Sequence, residues 1–455
     1  MKPQLALTMI VRNGGQDLSR CLESVRGIVD EIVIADTGST DGSVAVAQSF
    51  GATVISIPWE NDFAAARNSA LQHTSADWVL VLDADEQLDT QAQAQIADAL
   101  RSPDADGYVI TIRNYVHSLT ERLWDKAALV NDGRLARASE FAGYLEHENV
   151  RLFRNKPEIK FEGRIHETVG TGIERRGGKL GRANFSIHHF GFVASAERKA
   201  EKNLFYRELG RQKIKDTPGN AQAHFELGLL ELDNFHNDAE ALRLFTLSCE
   251  LNEKLAVAWF FRAIALTRLQ RDAEALPCFT QARRLGLDGA THAEAEADCL
   301  YNCKQFIEAR KRYRYALQLG NSAGLVSKIG LTEVRLGHCG AGLKKLRGAM
   351  SQAPAAQEIH DRMVSALLTI GRVADAAKAA EASLALTPAT KASFLRTAAL
   401  WMHAEQIEHA IQVVRRGLAT FPESPELRDA YAELRERQHQ ESSEAPQHHT
   451  AAPAH

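Results

Sequence analysis

One stretch constrains this chain more than any other: Trp78-Val-Leu-Val-Leu-Asp83-Ala-Asp85-Glu86-Gln-Leu88, an apolar run of five residues that ends in three carboxylates within four positions. An apolar run without alternation reads as a strand of a parallel sheet, buried on both faces. Such a strand cannot carry charge in its middle, because an unpaired buried carboxylate is too costly. It can carry charge where it leaves the sheet, and ligands of open α/β sheets bind at the carboxyl ends of the strands. Asp83 and Asp85, spaced i and i+2 at such an end, suit a hard divalent cation and a phosphate-bearing ligand. The plainer alternative is an acidic strand-to-helix loop in solvent.

The preceding residues repeat the same grammar. Leu5–Val11 reads as a strand, followed by a polar turn at Arg12-Asn13-Gly14-Gly15, and Leu18 to Arg26 has helical spacing. Glu31–Asp36 is a second apolar strand ending in an acid. A turn of small residues, Thr37-Gly38-Ser39-Thr40-Asp41-Gly42, leads into a helix from Ser43 to Phe50, and Thr53 to Ile57 is a third strand. Asp62 is placed to cap a helix that carries Arg67 and Asn68. Strands alternating with helices indicate βαβ units, short right-handed connections and a parallel sheet. Arg12, Asp36, Asp83 and Asp85 then share one sheet edge. There Asp36 can hold a base or ribose edge and a metal on Asp85 the phosphates, with Arg67 adding charge-assisted contacts. The competing readings are an Asx-turn for Asp36 and a helix-surface salt bridge for Arg67. The Gly38–Gly42 loop is neither GxGxxG nor a P-loop, which excludes a dinucleotide fold and a P-loop kinase.

At 455 residues the chain should hold more than one domain. A net charge of −4 gives no argument for nucleic acid or an anionic membrane surface. No apolar run approaches the ~20 residues that span a bilayer, and the apolar N-terminus reads as a first strand rather than a signal peptide. The six cysteines show no CxxC pair or disulfide framework, so a cytoplasmic, reducing location is expected.

Ile10-Val-Arg-Asn13, Asp36-Thr-Gly-Ser-Thr-Asp-Gly42, Asp62-Phe-Ala-Ala-Ala-Arg-Asn68 and Asp83-Ala-Asp-Glu86 stand in one order and spacing. Together they resemble the family 2 glycosyltransferases of the GT-A fold, strongly over residues 5–100. Downstream, Arg151-Leu-Phe-Arg154, Phe161-Glu-Gly-Arg-Ile-His166-Glu167 and His189-Phe-Gly-Phe192 resemble the later motifs of the branch that often carries helical repeats. The resemblance implies a nucleotide-sugar donor, a divalent cation (Mn2+ or Mg2+) and a single-step inverting reaction. It implies that Asp36 contacts the base, that Asp83 faces the ribose and that Asp85 binds the metal. Val11, Arg12, Asn13, Gly38, Asp62, Arg67 and Ala84 complete the expected donor set. The chain departs from many relatives in having Gly14 where an acid follows the Arg-Asn pair. His189 is the expected second metal ligand, since borderline metals accept imidazole and carboxylate together; His188 is expected to pack or lie exposed. Glu167 is the candidate base, with His166 second, and a salt bridge to Arg151, Arg154 or Arg164 is the alternative for Glu167. Gly107 to Val116 reads as a further strand, and residues 117–147 as a polar loop suited to acceptor contacts.

Past a charged helix at Glu197–Lys215 and a break at Asp216-Thr-Pro218-Gly219-Asn220, strand patterns vanish. Ala275 and Ala309 stand one 34-residue tetratricopeptide period apart, as do Ala376 and Ala410, with the small residue Gly342 one position off register. Phe279, Tyr313, Leu346 and Val414 recur four residues after these positions, and Pro388 and Pro422 mark repeat ends. The predicted organisation is a catalytic domain over 1–195, a helical linker over 196–219, about six repeats within 220–438 closed by a helix at Glu426–Gln438, and a disordered tail over 439–455. Repeat arrays of this kind stack neighbours and present a concave surface to peptides, proteins or a second copy. The function expected is transfer of a sugar, from a UDP-sugar by preference, to a peptide or protein recruited by the repeats. A glycan-precursor acceptor, a nucleotidyltransferase and a non-enzymatic repeat scaffold are the rivals.

Overall fold

The computed structural model describes residues 3–101, 105–119, 121–123, 126–191, 196–320, 322–386 and 389–444. The chain divides into two compact units, Met1–Glu253 and Lys254–His455. The first opens as an α/β alternation: β1 (Leu5–Val11), α1 (Gly15–Ser24), β2 (Glu31–Asp36), α2 (Ser43–Ser49), β3 (Thr53–Ser56), α3 (Phe63–Leu71), β4 (Trp78–Val81), β5 (Glu86–Leu88) and α4 (Ala92–Arg101). It continues through β6 (Gly107–Val116), β7 (Arg122–Leu123), β8 (Lys126–Ala127), β9 (Leu129–Val130), a 3-10 turn at Ala136–Glu140, β10 (Gly143–Arg154), α5 (Gly170–Arg175) and β11 (Leu180–His189). The main sheet has the order β3-β2-β1-β4-β10-β6-β11-β5, with β9 on β10 and β7 paired to β8 apart from it.

β1 to β4 are parallel neighbours, as the alternation predicts. The sheet as a whole is mixed, because β10 runs antiparallel to β4 and β6, and β5 antiparallel to β11. β10 corrects the end of the stretch expected as an irregular loop over 117–147, since residues 143–147 are strand. Its Glu146, His147 and Glu148 hide the strand pattern, and cross-strand partners explain them. Glu146 receives Arg113 Nε from β6 at 3.3 Å and Glu148 receives Arg182 Nη1 from β11 at 2.7 Å.

β4 is buried on both faces, as its composition requires. Trp78, Leu80 and Leu82 pack into the cluster with β1 and α1, while Val79 and Val81 face Phe153, Phe161 and Ile173 on the other side. Fully burying such a side chain contributes roughly 1.5–3 kcal/mol, so the strand is anchored rigidly just before its acidic end.

Helices follow from Ala196 onward: α6 (Ala196–Asp216), α7 (Ala221–Asp233) and α8 (Asp238–Leu251) in the first unit. The second unit holds α9 (Ala256–Arg268), α10 (Asp272–Arg284), α11 (Ala290–Asn302), α12 (Phe306–Leu319), α13 (Ala323–Arg335), α14 (Cys339–Gln352), α15 (Gln357–Thr369), α16 (Val373–Ser383), α17 (Lys391–His403), α18 (Ile407–Thr420) and α19 (Pro425–Glu444). In sequence these form six pairs from α7 to α18, followed by α19. The turn inside each pair carries one left-handed residue: His236, Gln270, Lys304, Gly337, Gly371 and Glu405. Successive positions differ by 34 except for Lys304 to Gly337, which differ by 33. That single short step is why Gly342 falls one residue off register. Gly342 faces Gly330 of α13, where an added Cβ would meet the Gly330 carbonyl at 2.6 Å, so the small residues set the close helix approach. Asn220, at the predicted break, caps α7 by accepting from Gln222 and Ala223 N–H. α19 continues to Glu444, beyond the predicted end of the closing helix. Phe192, Pro388 and residues 445–455, with His448, His449 and His455, lie outside the described residues. No disulfide joins any of the six cysteines.

Candidate active site

A cleft of about 920 Å³ opens at the carboxyl ends of β1, β2 and β4. Of the expected residues, Val11, Arg12, Asn13, Arg67, Asp83, Ala84, Asp85, His166, Glu167 and His189 line it. Asp36, Gly38 and Asp62 do not. Asp36 is buried and accepts from Gly38 and Ser39 N–H, at 3.2 and 3.1 Å, which is the Asx-turn alternative. Its neighbour Thr37 lines the cleft instead. Asp62 caps α3 through Ala65 N–H at 2.9 Å, as predicted from the sequence. Three residues of the lining, Asn13, Asn61 and His166, adopt left-handed backbone with φ of 56°, 57° and 53°. Strain of that kind is held in place by its surroundings and gathers at functional sites. At Asn13 the hold is visible, since its Oδ1 accepts from Thr40 N–H at 2.7 Å.

Asp83 is gripped from two sides. Arg67 Nη2 lies 2.8 Å from Oδ1 and Arg151 Nη2 lies 3.3 Å from Oδ2. Burial works against the ionised form, but the two guanidiniums hold the Asp83 carboxyl well below the usual carboxylate range. Arg67 also bonds Glu167 Oε1 through Nε at 2.5 Å, and Arg151 bonds buried Glu86 at 3.2 Å. Arg67 is thus a buried brace in the cleft lining, paired to Asp83 and Glu167 rather than to a helix-surface carboxylate. Glu167 does form a salt bridge, with Arg67 rather than the arginines weighed for it. Its Oε2 makes no hydrogen bond among the described residues.

Asp85 and His189, the two expected metal ligands, lie with Oδ2 and Nε2 3.4 Å apart. His188, one residue earlier, points the other way into the core, where Tyr115 hydroxyl and Asp89 flank it. Two residues that the sequence did not single out complete the pair. Asn114 Nδ2 donates to the Leu145 carbonyl, so its Oδ1 is the atom that accepts from His189 Nδ1, at 2.7 Å. Nδ1 therefore carries a proton directed at Asn114, and Nε2 is the ring nitrogen that faces Asp85. Gly191 leaves the space that the Asp85 carboxylate fills: a Cβ there would overlap Oδ2 and lie 3.0 Å from His189 Nε2. Burial pushes the His189 imidazole pKa down, but the adjacent Asp85 carboxylate, with Glu86 and Asp83, holds it above its ordinary value.

No group of three or more His, Cys, Asp or Glu side chains is arranged around a metal position among the described residues. The donor set of one carboxylate and one oriented imidazole fits a borderline divalent cation such as Mn2+ that keeps its remaining positions for substrate phosphates and water. At the cleft mouth Trp59, Phe63, Phe205 and Tyr206 form an aromatic shelf, with the Trp59 and Phe63 rings 4.9 Å apart and Phe63 and Tyr206 6.3 Å apart.

Parallel β1–β4 strands extended by an antiparallel strand, with an acidic strand end facing a cleft, define a GT-A-type α/β unit followed by helical repeats. The glycosyl transferase family 2 model matches residues 7–169. An uncharacterized glycosyltransferase of Rickettsia conorii is 33% identical over 277 residues, 59% of this chain and 91% of that protein. The chain belongs to glycosyl transferase family 2. A TPR repeat-containing protein of Synechococcus elongatus is 35% identical over 171 residues, and the glycosyltransferase SunS of Bacillus subtilis 24% identical over 242 residues. These matches cover 37% and 53% of this chain, and 36% and 52% of the two relatives' own length. A tetratricopeptide repeat protein from Parabacteroides merdae aligns with a TM-score of 0.42 and 12% identity, over 52% of this chain and 96% of that one.

No helix among the described residues is long and apolar enough to cross a membrane.

Proposed function

We propose that this chain is a metal-dependent, inverting glycosyltransferase that moves a sugar from a UDP-sugar to a peptide or protein acceptor recruited by its helical repeats. The observation that carries the reading is the Asp85–His189 pair, with His189 oriented by Asn114 and Asp85 given room by Gly191. These two side chains would hold the cation, which when bound supplies Lewis-acid stabilisation to the leaving diphosphate. Asp83, kept ionised by Arg67 and Arg151, accepts hydrogen bonds from the ribose. The buried Asp36 turn would place Thr37, which lines the cleft, beside the base. Arg12, exposed and without an ion-pair partner among the described residues, offers charge to the phosphates.

Glu167 takes the proton of the acceptor. Arg67 fixes one of its oxygens and leaves the other for that task. His166, exposed on the same rim, is the second candidate base. In the repeats, a groove of about 530 Å³ lined by residues including Arg335, Asp361, Leu368 and Arg396 supports docking of an extended chain. A glycan acceptor is the second reading. The aromatic shelf favours it, because such rings take the apolar face of a sugar as well as an apolar side chain.

The test is release of UDP from UDP-glucose, UDP-galactose and UDP-N-acetylglucosamine with Mn2+, with and without peptides carrying Ser, Thr or Cys. At least one donor should be turned over, faster with a peptide, and Glu167→Gln should remove transfer while sparing donor binding. Transfer at the normal rate by Glu167→Gln eliminates Glu167 as the base. Wild-type protein that turns over none of these donors under any condition contradicts the reading.

A further inference from the structure

Helix α6 lies beyond the residues matched by the family model, yet its Lys202, Phe205 and Tyr206 line the cleft that holds Asp83 and Asp85. The helix is tied to the loop that bears His166 and Glu167. Lys213 Nζ donates to the Ile165 carbonyl at 2.9 Å and to Glu226 at 2.7 Å. Arg164 Nε meets Asp216 Oδ2 at 2.5 Å. Nearer its N-terminal end the Tyr206 ring stands edge-on to Phe63 and His166, each 6.3 Å away. What sequence reads as a charged connector is a fixed wall of the site.

The charges of the cleft are unevenly matched. Arg67 and Arg151 are committed to Asp83, Glu86 and Glu167, and Asp17 takes Arg20 and Arg137. Lys202, like Arg12, lines the cleft without a carboxylate partner among the described residues. Its ammonium instead rests 5.4 Å from the centroid of the Tyr206 ring, an arrangement that keeps the full charge available. The Tyr206 hydroxyl makes no hydrogen bond among the described residues. Burial, with the charges of Glu167, Asp83 and Asp85, pushes the phenol up to about 12, so it remains an O–H donor. A cation without a carboxylate and a phenol without an acceptor, on the wall of a cleft floored by acids, are what an anionic leaving group needs.

We propose that Lys202 and Tyr206 of α6 bind the diphosphate of the nucleotide donor. The proposal rests on the glycosyltransferase reading above. Lys202 offsets the charge that gathers on the diphosphate as the sugar–phosphate bond breaks. Tyr206 donates a hydrogen bond to a phosphate oxygen and keeps its proton throughout.

Calorimetric titration of the full-length protein with uridine, UMP and UDP in the presence of Mn2+ separates this role from a structural one. Lys202→Gln should weaken UDP about 5–20-fold and Tyr206→Phe about 3–10-fold, with uridine unchanged and UMP intermediate. Lys202→Arg should retain UDP affinity within about threefold. The loss in Lys202→Gln should shrink at 1 M NaCl, where the Debye length falls to about 3 Å. UDP affinity unchanged in both Lys202→Gln and Tyr206→Phe overturns the proposal. So does an equal loss for uridine and UDP, which would mark α6 as a mere cover. Failure of the underlying reading looks different: wild-type protein would bind none of UDP, GDP and dTDP. If GDP or dTDP is the nucleotide bound, the same comparison applies to it and its nucleoside.

Discussion

Arg67 and Glu167, 100 residues apart in sequence, meet at 2.5 Å beneath the cleft, and the same guanidinium reaches Asp83 at 2.8 Å. One buried side chain from α3 therefore sets the position of the residue proposed for the ribose and of the residue proposed as base. The Arg67 side chain is only 8% exposed, so it cannot trade these carboxylates for a ligand without leaving them bare.

Arg67→Met should for that reason be far more damaging than loss of a surface arginine. Breaking a buried ion pair from one side costs about 3–5 kcal/mol because it strands the remaining charges. The expected result in a urea melt is a destabilised first unit, with nucleotide binding lost. A melt unchanged to within 1 kcal/mol would show that Asp83 and Glu167 do not depend on the brace.

Gly191→Ala tests the space around Asp85. The added methyl must displace the Asp85 carboxylate, since Cβ and Oδ2 cannot share the position. Mn2+-dependent nucleotide binding should fall at least about tenfold while the thermal midpoint of the first unit moves by only a few degrees. Full binding by this variant would show that the carboxylate has room to spare.

Asn114→Leu removes the acceptor for His189 Nδ1–H. Partners that orient a ligating imidazole typically matter by about 10–100-fold in metal affinity. Mn2+ titration followed by the electron paramagnetic resonance of the free ion should show a loss in that range. No loss would mean that His189 orients itself, or does not ligate.

In the second unit His292 is buried on α11, its Nε2 donating to the Phe279 carbonyl at 3.1 Å and its Nδ1 facing Arg312. Burial pushes its pKa down to about 4. The neutral form is favoured in the folded state, so its contribution is fully present above the unfolded value of about 6.5 and is lost as pH falls toward 4. Hydrogen exchange of residues 290–302 should report about 2 kcal/mol less protection at pH 4 than at pH 7, after correction for intrinsic exchange. His292→Gln should flatten that dependence. An equal pH dependence in the variant would assign it to other groups.

Lys304 tests the repeat reading itself. It occupies, at φ 60°, the left-handed turn position that Gly337 and Gly371 fill in the next two pairs. Lys304→Gly should stabilise the array by about 0.5–1 kcal/mol, because a side chain is disfavoured there. Destabilisation by Lys304→Gly would mean that the lysine side chain, rather than the backbone geometry, holds the turn.

The parts of this protein legible in sequence are those where one force dominates. β1 and β2 are found at their exact ends because unbroken apolar runs admit only a buried strand, and β4 is found with its acidic terminus for the same reason. The helix pairs are legible because the 34-residue spacing of small residues reflects close helix contacts such as Gly342 on Gly330. β10 was hidden because its charges are satisfied across strands, which no local pattern records. The commitment of Arg67 to two carboxylates, the orientation of His189 by Asn114, and the place of α6 in the cleft wall are likewise relations between distant residues. Gly191 left one signal: a glycine directly after the His189-Phe190 pair, where a side chain would have met Asp85.

The central claim is that Asp85 and His189 hold a cation on which donor binding depends. Its most direct test is calorimetric titration of UDP into the wild-type protein with and without Mn2+, repeated on Asp85→Ala. Binding should require Mn2+ and disappear in Asp85→Ala, with the helical repeats still folded by circular dichroism. UDP binding of equal strength without Mn2+, or retained in Asp85→Ala, would contradict it.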